Sequence, residues 1–387
     1  MSERTCVAHS CNPFMPRSGT WIYSQIDALA RGDKYRPIAI AKRLENRPQF
    51  PFEPVYSIDD KNLIFKGWQR LYKKQIRPYF PAHLKALQHE NARLLHSHMG
   101  DRALDDAALA QAAGIPHVAT FYGADVWLAC QRVGWRAEFQ NFARGASAML
   151  AEGNAMRAKM IEEGAPPEKV EVFHLGVDLE KIEFAPRAPS SDGEIRLLMA
   201  GRPLEKKGHI FGLRAFALLA SKYPQLHLEL LIGGRDGKSG AIADELKKCI
   251  AECGLENRIT WDEFLPYDEY LRRLKRAQIF VQPSVHAQSG DAEGGFPVTI
   301  LEMSASGMPI VATTHCDIPE AVLDGESGLI GAERDVTKLA EKIEWLIQHP
   351  ESWEKMGRVG RAHVQANYNI TQQGKQLEAI YDRVLGR

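Results

Sequence analysis

The sequence of 387 residues predicts an α/β protein made of two doubly wound, Rossmann-like domains. Three observations lead to this prediction. Short apolar or β-branched runs alternate with longer helical patterns along the whole chain, which is typical of parallel sheets covered by helices. The alternation stops once, in a segment rich in proline, glycine and serine at 181–194, and then resumes. The length suits two hydrophobic cores better than one.

The predicted elements form one series before this interruption and one after it. In the first series we expect strands near 5–9, 36–41, 93–97, 117–120, 147–151 and 170–174, and helices at 19–31, 101–113 and 154–164. In the second we expect strands near 195–200, 226–232, 278–282 and 309–313, and helices near 209–222, 241–253 and 297–306. Helical patterns at 335–349, 351–365 and 370–386 follow.

These series predict the division of the chain into domains. We expect an N-terminal domain over 1–180, a linker at 181–194, a second domain over 195–366 and a separate helix within 367–387.

Composition excludes several classes of protein. With 44% hydrophobic and 25% charged residues, the chain is neither disordered nor fibrous. No run of eighteen apolar residues occurs and the first ten residues, MSERTCVAHS, lack the apolar core of a signal peptide, so we expect a cytoplasmic protein. The six cysteines form no CxxC pair and are expected to be reduced. A net charge of zero gives no reason to expect nucleic acid as a partner.

Charge is nevertheless uneven along the chain. The segment 61–89 contains seven lysines or arginines and no acidic residue, interleaved with Phe65, Trp68, Tyr72, Tyr79 and Phe80. This combination suits the surface of an anionic membrane. A solvated or acceptor-lining face is the alternative.

The segment GRPLEKKG at 201–208 lies between a predicted strand and a predicted helix. Its cations stand at the carboxyl end of the strand, where the ligand crevice of such a sheet lies. A diphosphate bound there would receive charge-assisted hydrogen bonds of about 1.5–3 kcal/mol each, and the glycines let the backbone approach it closely. A solvated basic turn is the alternative interpretation.

A second segment, EGGFPVTILEMSASG at 293–307, places two glycines and a proline before a helix predicted to begin near Pro297. Amides around Gly294, Gly295 and Phe296 precede the helical hydrogen bonds, so this N-terminus can bind oxygens of phosphates or sugars.

Glu302 is the only acid of that predicted helix and stands among Ile300, Leu301 and Met303. A carboxylate is costly in apolar surroundings unless a partner satisfies it. Ribose hydroxyls are suitable partners, and a structural hydrogen bond to neighbouring backbone is the alternative.

Seven segments in register resemble glycosyltransferase family 4, the retaining, nucleotide-sugar-dependent enzymes of the GT-B fold. The resemblance covers nearly the whole chain, through RSGTWIYSQIDAL at 17–29, LLHSHMG at 94–100, HVATFYGADV at 117–126, MLAEGNAMRAKMIEEGAPPEKVEVFHLGVDLEKI at 149–182, GRPLEKKGH at 201–209, residues 291–320 and DGESGLI at 324–330.

The resemblance implies that the first domain binds the acceptor, that the second binds the donor across a cleft between them, and that the final helix returns to the first domain. It implies that Arg202 and Lys207 hold the donor diphosphate as catalytic residues, with Glu302 on the ribose. Gly19 and Gly201 would lie against the donor. Contacts with the transferred sugar would come from Glu293, the third catalytic residue that the resemblance implies, and from the backbone of Gly294, Gly295, Phe296, Pro297 and Val298.

Two departures from the family pattern concern the sugar. The family usually separates its two glutamates by seven residues, and eight lie between Glu293 and Glu302, so Glu293 reaches the sugar only if the loop bulges. The family commonly has histidine where this chain has Tyr122, and a phenol cannot carry a proton near neutral pH. Tyr122, Asp125 and His98 are therefore expected to contact the acceptor or the donor sugar without acting as catalysts.

No DxD motif with neighbouring ligands is recognisable, so we expect a reaction without metal or other cofactor. Arg202, Lys207 and the helix at 297 would neutralise the charge of the departing nucleoside diphosphate. On this hypothesis a phosphate oxygen accepts the acceptor's proton on the same face, which retains the anomeric configuration.

Two other pairs of residues receive structural interpretations. His96 and His98 share one face of a strand, but the sequence shows no third metal ligand, so a core or cleft role is favoured. Cys249 and Cys253 stand one helical turn apart, and packing explains them.

The sequence thus predicts a retaining transferase that moves a hexosyl-type sugar from a UDP- or GDP-sugar to a glycan or lipid-linked acceptor in polysaccharide or envelope glycan synthesis. It would be cytoplasmic or peripheral on the inner face of the membrane. Another GT-B enzyme, such as a nucleotide-sugar epimerase or a sugar phosphorylase, and a non-catalytic nucleotide-sugar-binding subunit are the alternatives.

Overall fold

The computed structural model describes residues 4–15, 19–234, 238–263 and 265–387, which divide into two compact units. The first unit extends to Val177 and includes Ile370–Arg387, and the second is Asp178–Asn369. Arg17 and Ser18, at the start of the 17–29 segment, lie outside the described residues.

The first unit is built on a parallel sheet in the order β3-β2-β1-β4-β5-β6-β7. Its strands are β1 (Thr5–Ser10), β2 (Tyr35–Ala41), β3 (Val55–Ser57), β4 (Leu94–His98), β5 (His117–Phe121), β6 (Ala148–Ala151) and β7 (Val170–Val172). Most of these strands are apolar and buried because helices cover both faces of the sheet. The strand order reverses between β1 and β4, which places a topological switch point at their carboxyl ends.

Eight helices among the described residues belong to this unit. They are α1 (Thr20–Arg31), α2 (Leu63–Gln75), α3 (Pro81–His89), α4 (Gly100–Ala113), α5 (Ala124–Trp127), α6 (Trp135–Gly145), α7 (Asn154–Glu162) and α15 (Ile370–Val384). The returning helix α15 buries Leu377 and Tyr381 in one cluster with Val7 and Leu94. The last segment of the chain therefore completes a core that its first strand begins.

The second unit contains a parallel sheet in the order β10-β9-β8-β11-β12-β13. Its strands are β8 (Ile195–Gly201), β9 (Leu226–Ile232), β10 (Ile259–Asp262), β11 (Ile279–Gln282), β12 (Ile310–Thr313) and β13 (Gly328–Gly331). The strand order reverses between β8 and β11, so the loops that follow these two strands are neighbours.

The helices of the second unit cover both faces of this sheet. They are α8 (His209–Ala220), α9 (Lys238–Glu252), α10 (Tyr267–Arg276), α11 (Val298–Ser306), α12 (Ile318–Ala321), α13 (Val336–Gln348) and α14 (Trp353–Asn367). The predicted linker at 181–194 packs on this unit, since the buried Arg187 guanidinium donates to the carbonyl of Leu274 at 2.8 Å and to Ser306 Oγ at 3.1 Å. No helix among the described residues is both long and apolar enough to span a bilayer.

The predicted fold class is confirmed, since both sheets are parallel and doubly wound. The sequence prediction missed short strands such as β3 and β10, and it missed α2, α3, α6 and α10. The strands β3 and β10 are short and only partly buried, so their apolar pattern in the sequence is weak. The helix predicted from Pro297 begins at Val298, because Pro297 has the extended backbone of an N-cap, with ψ of 131°.

Gly208 allows α8 to begin directly after the basic loop. Its φ is +64°, and a Cβ at this position would lie 1.7 Å from the carbonyl oxygen of Pro283. We expect Gly208→Ala to lower the free energy of unfolding of the second unit by about 3 kcal/mol, from overpacking and a left-handed backbone. Urea unfolding measures this change. Gly240→Ala, at a helical position with nothing within 4 Å, is the control, and equal stability of the two variants would contradict the prediction.

Candidate functional site

The basic loop after β8 gives its two adjacent lysines different partners. Lys206 Nζ donates to Asp291 Oδ1 at 3.1 Å and to the Ala292 carbonyl at 2.9 Å, and the carbonyl of Lys206 accepts from the Val285 amide at 2.8 Å. Lys206 therefore fastens the loop after β8 to the loop after β11. Because Lys206 is 7% exposed, the alternative of a solvated basic turn does not describe this segment.

Lys207 points to a different group, the carboxylate of Glu293. Its Nζ lies 3.0 Å from each carboxylate oxygen, and the side chains of Lys207 and Glu293 are only 16% and 7% exposed. Ser284 Oγ donates a further hydrogen bond to Glu293 at 3.1 Å. The structure thus joins two of the residues that the sequence predicted as catalytic, in a nearly dry ion pair.

The pKa values of this pair follow from burial and charge. Burial alone would raise the pKa of Glu293, but the cations of Lys207 and Lys206 outweigh it and hold that pKa below its usual range. Burial lowers the pKa of Lys207, against the opposing effect of Glu293.

His315 fixes the backbone at Glu293. The Glu293 amide donates to His315 Nε2 at 3.0 Å, and His315 Nδ1 donates to Glu333 Oε1 at 2.8 Å. Sequence reasoning missed His315, Ser284 and Glu333, because only the packing of three loops brings them to Glu293.

The remaining predicted donor residues surround this pair in different ways. Arg202 is exposed, and its guanidinium has no ion-pair partner within the described part of the chain, although its charge contributes to the lowered pKa of Lys207. Gly201 ends β8 with φ of +143°. Gly294 has φ of +89°, and Gly295 accepts from the Asp317 amide at 3.2 Å. Gly294 and Gly295 are therefore parts of a buried, tightly turned loop.

The start of α11 has no side-chain cap. Pro297 is the N-cap residue and Val298 the first residue of this nine-residue helix. The Phe296 ring packs inward against Tyr368, with the ring centroids 5.2 Å apart. An uncapped N-terminus retains its affinity for anions.

Glu302 has a protein partner, the phenol of Tyr270. Tyr270 Oη donates to Glu302 Oε2 at 2.6 Å. Burial raises the pKa of Glu302, and the phenol opposes this rise. The alternative to ribose in the sequence analysis was a hydrogen bond from Glu302 to neighbouring backbone. The partner is instead a side chain on α10, a helix that the sequence prediction missed.

In the first unit His96 and His98 have a third histidine beside them. His9 Nδ1 lies 2.9 Å from His98 Nε2, and ring nitrogens of the three residues lie within 4.8 Å of one another. His96 and His98 also contact other groups: His98 Nδ1 is 2.6 Å from Tyr122 Oη, and His96 forms hydrogen bonds with Tyr381 and Thr120 at 2.6 and 2.7 Å. Sequence reasoning missed His9 because the register of β1 against β4 is not visible in the sequence.

Burial keeps this cluster neutral. It lowers the pKa of His9 to about 3 and holds those of His96 and His98 well below their usual value. Burial likewise raises the pKa of Tyr122 well above that of a free phenol. His98 and Tyr122 are thus hydrogen-bonding groups that do not ionise near neutral pH.

Asp125 and Gly19 hold backbone in the first unit. Asp125 Oδ2 accepts from the Gly100 amide at 2.7 Å and Asp125 Oδ1 from the Tyr122 amide at 2.9 Å, while burial raises the pKa of Asp125 to about 6. Gly19 is the N-cap residue of α1, and its carbonyl accepts from the Ile22 amide at 3.1 Å.

Two doubly wound units, one of which carries cations and an uncapped helix at its switch point, define the GT-B fold as the class of protein to compare. The chain matches the model of the family Glycosyltransferase Family 4 over residues 19–181 and that of Glycosyl transferases group 1 over residues 180–363. The chain belongs to the family 4 glycosyltransferases.

Two bacterial relatives are similar to much of the chain. The amylovoran biosynthesis glycosyltransferase AmsK of Erwinia amylovora is 30% identical over 267 residues, which are 69% of this chain and 64% of AmsK. The putative colanic acid biosynthesis glycosyltransferase WcaL of Salmonella typhimurium is 28% identical, over 68% of this chain and 63% of WcaL. The chain thus spans just under two thirds of the length of these relatives.

Solved structures agree in fold across nearly the whole chain. HepE of Anabaena, in complex with UDP and glucose, has a TM-score of 0.78 at 18% identity, and the match covers 97% of this chain and 99% of HepE. A glycosyltransferase of Rickettsia africae has a TM-score of 0.78 at 15% identity, covering 99% of both chains.

The lowered pKa of Glu293 predicts how stability depends on pH. An unfolded glutamate takes up its proton near its usual value of 4.5, before the folded one does, so the unfolded state binds more protons as the pH falls. Stability should therefore decrease below this value, and Glu293→Gln should show a smaller decrease. At pH 7 the same variant should lose about 3–5 kcal/mol, because Lys207 is left buried without its partner.

Urea unfolding from about pH 7 to about pH 3, on both sides of the usual value of 4.5, measures both effects. Glu256→Gln, a change at an exposed glutamate of the same unit, is the control. Identical pH profiles for wild type and Glu293→Gln would show that the ion pair does not set this dependence.

Proposed function

We propose that this protein is a retaining glycosyltransferase that moves a hexosyl-type sugar from a UDP- or GDP-sugar to a glycan or lipid-linked acceptor, in exopolysaccharide or envelope glycan synthesis. The observation that carries the proposal is the buried pairing of Lys207 with Glu293 at the switch point of the second sheet. The names of AmsK and WcaL support the exopolysaccharide pathway, and the UDP bound to HepE supports a uridine donor.

The pairing explains how a donor is recognised. In the described state the Glu293 carboxylate takes the place that anionic diphosphate oxygens would take beside Lys207. A donor diphosphate would replace this carboxylate on Lys207 and also contact Arg202 and the start of α11. Glu293 would then be released toward the hydroxyls of the transferred sugar, and Glu302 would bind the ribose beside Tyr270.

The same groups account for the chemistry. The bond between the anomeric carbon and the diphosphate oxygen breaks, and its electron pair remains on the leaving diphosphate, where Arg202 and Lys207 stabilise the charge. The acceptor hydroxyl forms the new bond on the same face and gives its proton to the departing phosphate oxygen. These cations do the work of a metal ion, so we propose turnover that chelators do not abolish.

Acceptor recognition is assigned to the first unit. His98 and Tyr122 form a neutral hydrogen-bonded pair that can bind sugar hydroxyls, while Asp125 holds the backbone of that turn.

The donor assignment predicts a nucleotide-specific thermal shift. In a panel of UDP-, GDP- and ADP-sugars, the sugars of only one nucleotide should stabilise wild type. At a hundred times the dissociation constant, the free energy of unfolding should rise by about 2.7 kcal/mol. Lys207→Ala should lose this shift. No shift of wild type with any donor would count against the proposal.

Turnover should depend on the same cation. With the identified donor and a glycan acceptor, Lys207→Ala should reduce kcat about 100- to 1,000-fold. Lys222→Ala is the control, because Lys222 is an exposed lysine of the same unit that pairs with Glu344. Release of nucleoside diphosphate that does not require an acceptor would favour an epimerase, and no turnover at all would favour a binding subunit.

We further propose that α2 attaches the protein to the cytoplasmic face of an anionic bilayer. This helix buries a polar residue and exposes apolar ones. Its one buried residue is Gln69. Leu63 and Ile64 are 81% and 86% exposed, and Trp68 is 50% exposed. Lys61, Lys74 and Arg77 are exposed beside these apolar groups. Apolar side chains next to cations match the interface of anionic lipids.

Vesicle binding tests this attachment. Wild type should sediment with phosphatidylglycerol vesicles in a salt-sensitive manner, and the double variant Leu63→Ser/Ile64→Ser should bind at least about tenfold more weakly, since each buried aliphatic side chain contributes more than 1 kcal/mol. Leu218→Ser, at a leucine 56% exposed on α8, is the control. Equal vesicle binding by Leu63→Ser/Ile64→Ser and by Leu218→Ser, or no binding by wild type, would exclude α2 as the anchor.

A further inference from the structure

A cluster of metal-binding side chains lies directly beside the Glu293 loop. A ring nitrogen of His286, a ring nitrogen of His315 and Cys316 Sγ lie within 4.8 Å of one another. Nothing in the proposed transfer reaction uses His286 or Cys316. The cluster is also accessible, since the His286 side chain is 48% exposed and Cys316 is partly exposed.

Glu333 orients both histidines in the same way. Its Oε1 lies 2.8 Å from His286 Nδ1 and 2.8 Å from His315 Nδ1. An ionised carboxylate only accepts hydrogen bonds, so both neutral rings carry their proton on Nδ1 and have their lone pair on Nε2. A carboxylate that holds histidine in this tautomer is the usual outer partner of a metal-ligating histidine.

The distance between two members of the cluster is close to that of zinc ligands. Cys316 Sγ is 3.4 Å from His315 Nε2. A tetrahedral zinc ion with Zn–N of about 2.0–2.1 Å and Zn–S of about 2.3 Å separates such ligands by about 3.6 Å. One thiolate and two imidazoles with a fourth position open to water form a ligand set that zinc accepts.

We propose that His286, His315 and Cys316 form a zinc site that controls the Glu293 loop. On binding, Zn²⁺ takes the lone pair of His315 Nε2, and the Cys316 thiol gives up its proton to solvent. The Glu293 amide, which now donates to His315 Nε2 at 3.0 Å, loses its acceptor. Zinc would therefore release the backbone that positions Glu293 for its ion pair with Lys207.

Cobalt(II) tests the site without reference to the proposed function. The purified full chain titrated with Co²⁺ should show a thiolate-to-cobalt charge-transfer band in the near ultraviolet at one equivalent, and Zn²⁺ should displace it. Cys316→Ser should abolish the band, and His286→Ala should weaken Co²⁺ binding at least tenfold. Glu333→Gln should weaken it about 10- to 100-fold.

Two controls make the result decisive. Cys253→Ser removes the exposed cysteine of the described chain and should leave the band unchanged. His286→Ala changes an exposed side chain and tests the site even where Cys316→Ser fails to fold. No band with wild type, or a band that persists in Cys316→Ser or is unaffected by His286→Ala, would overturn the proposal.

The effect on the donor is a separate measurement that rests on the proposed function. At a buffered free Zn²⁺ concentration that fills the site, wild type should bind UDP more weakly, and His286→Ala should not respond, which controls for chelation of zinc by UDP. Binding effects of two ligands are reciprocal, so UDP should equally weaken zinc. A cobalt band together with UDP binding that zinc does not change would support the metal site and contradict its control of the Glu293 loop.

Discussion

The arrangement of the second unit depends on one buried ion pair. Lys207 and Glu293 come from loops that follow adjacent strands, and their contact draws Ser284 and His315 around it. Removing two charges from water is costly, so the pair persists only because each charge has the other and further hydrogen bonds. An anionic ligand that takes Glu293's place meets a site already arranged for negative charge.

The two adjacent lysines of the basic loop have different partners. Lys206 turns inward to Asp291 and fastens the two loops, whereas Lys207 is directed at the carboxylate of Glu293. Either residue alone would be an ordinary basic position. Adjacent residues of a 3-10 helix lie about a third of a turn apart, so the short 3-10 segment Glu205–Lys207 directs the two lysine side chains differently.

The sequence predicts the two sheets well because their long, buried strands and amphipathic helices repeat with clear periods. It also indicates the basic segment 201–208, from its place at the end of a predicted strand, and Glu302, because a carboxylate in an apolar helix is costly. Glu293 was indicated only by the resemblance to the family. The hydrogen-bond partners of these residues could not be predicted from the sequence. Tyr270, Ser284, His315 and His9 are ordinary residues in sequence, and only strand register and loop packing make them neighbours. The outward apolar face of α2 was equally hidden, since the segment was recognised by composition and not as a helix.

The position of α15 has a consequence for synthesis on the ribosome. Val7 and Leu94 share a buried cluster with Leu377 and Tyr381, and His96 bonds Tyr381 directly. The first unit therefore cannot finish its core while it emerges, and the whole second unit is made before the missing helix arrives. Until then, the part of the first sheet that Leu377 and Tyr381 cover stays exposed, and exposed apolar surface makes a nascent chain prone to aggregation.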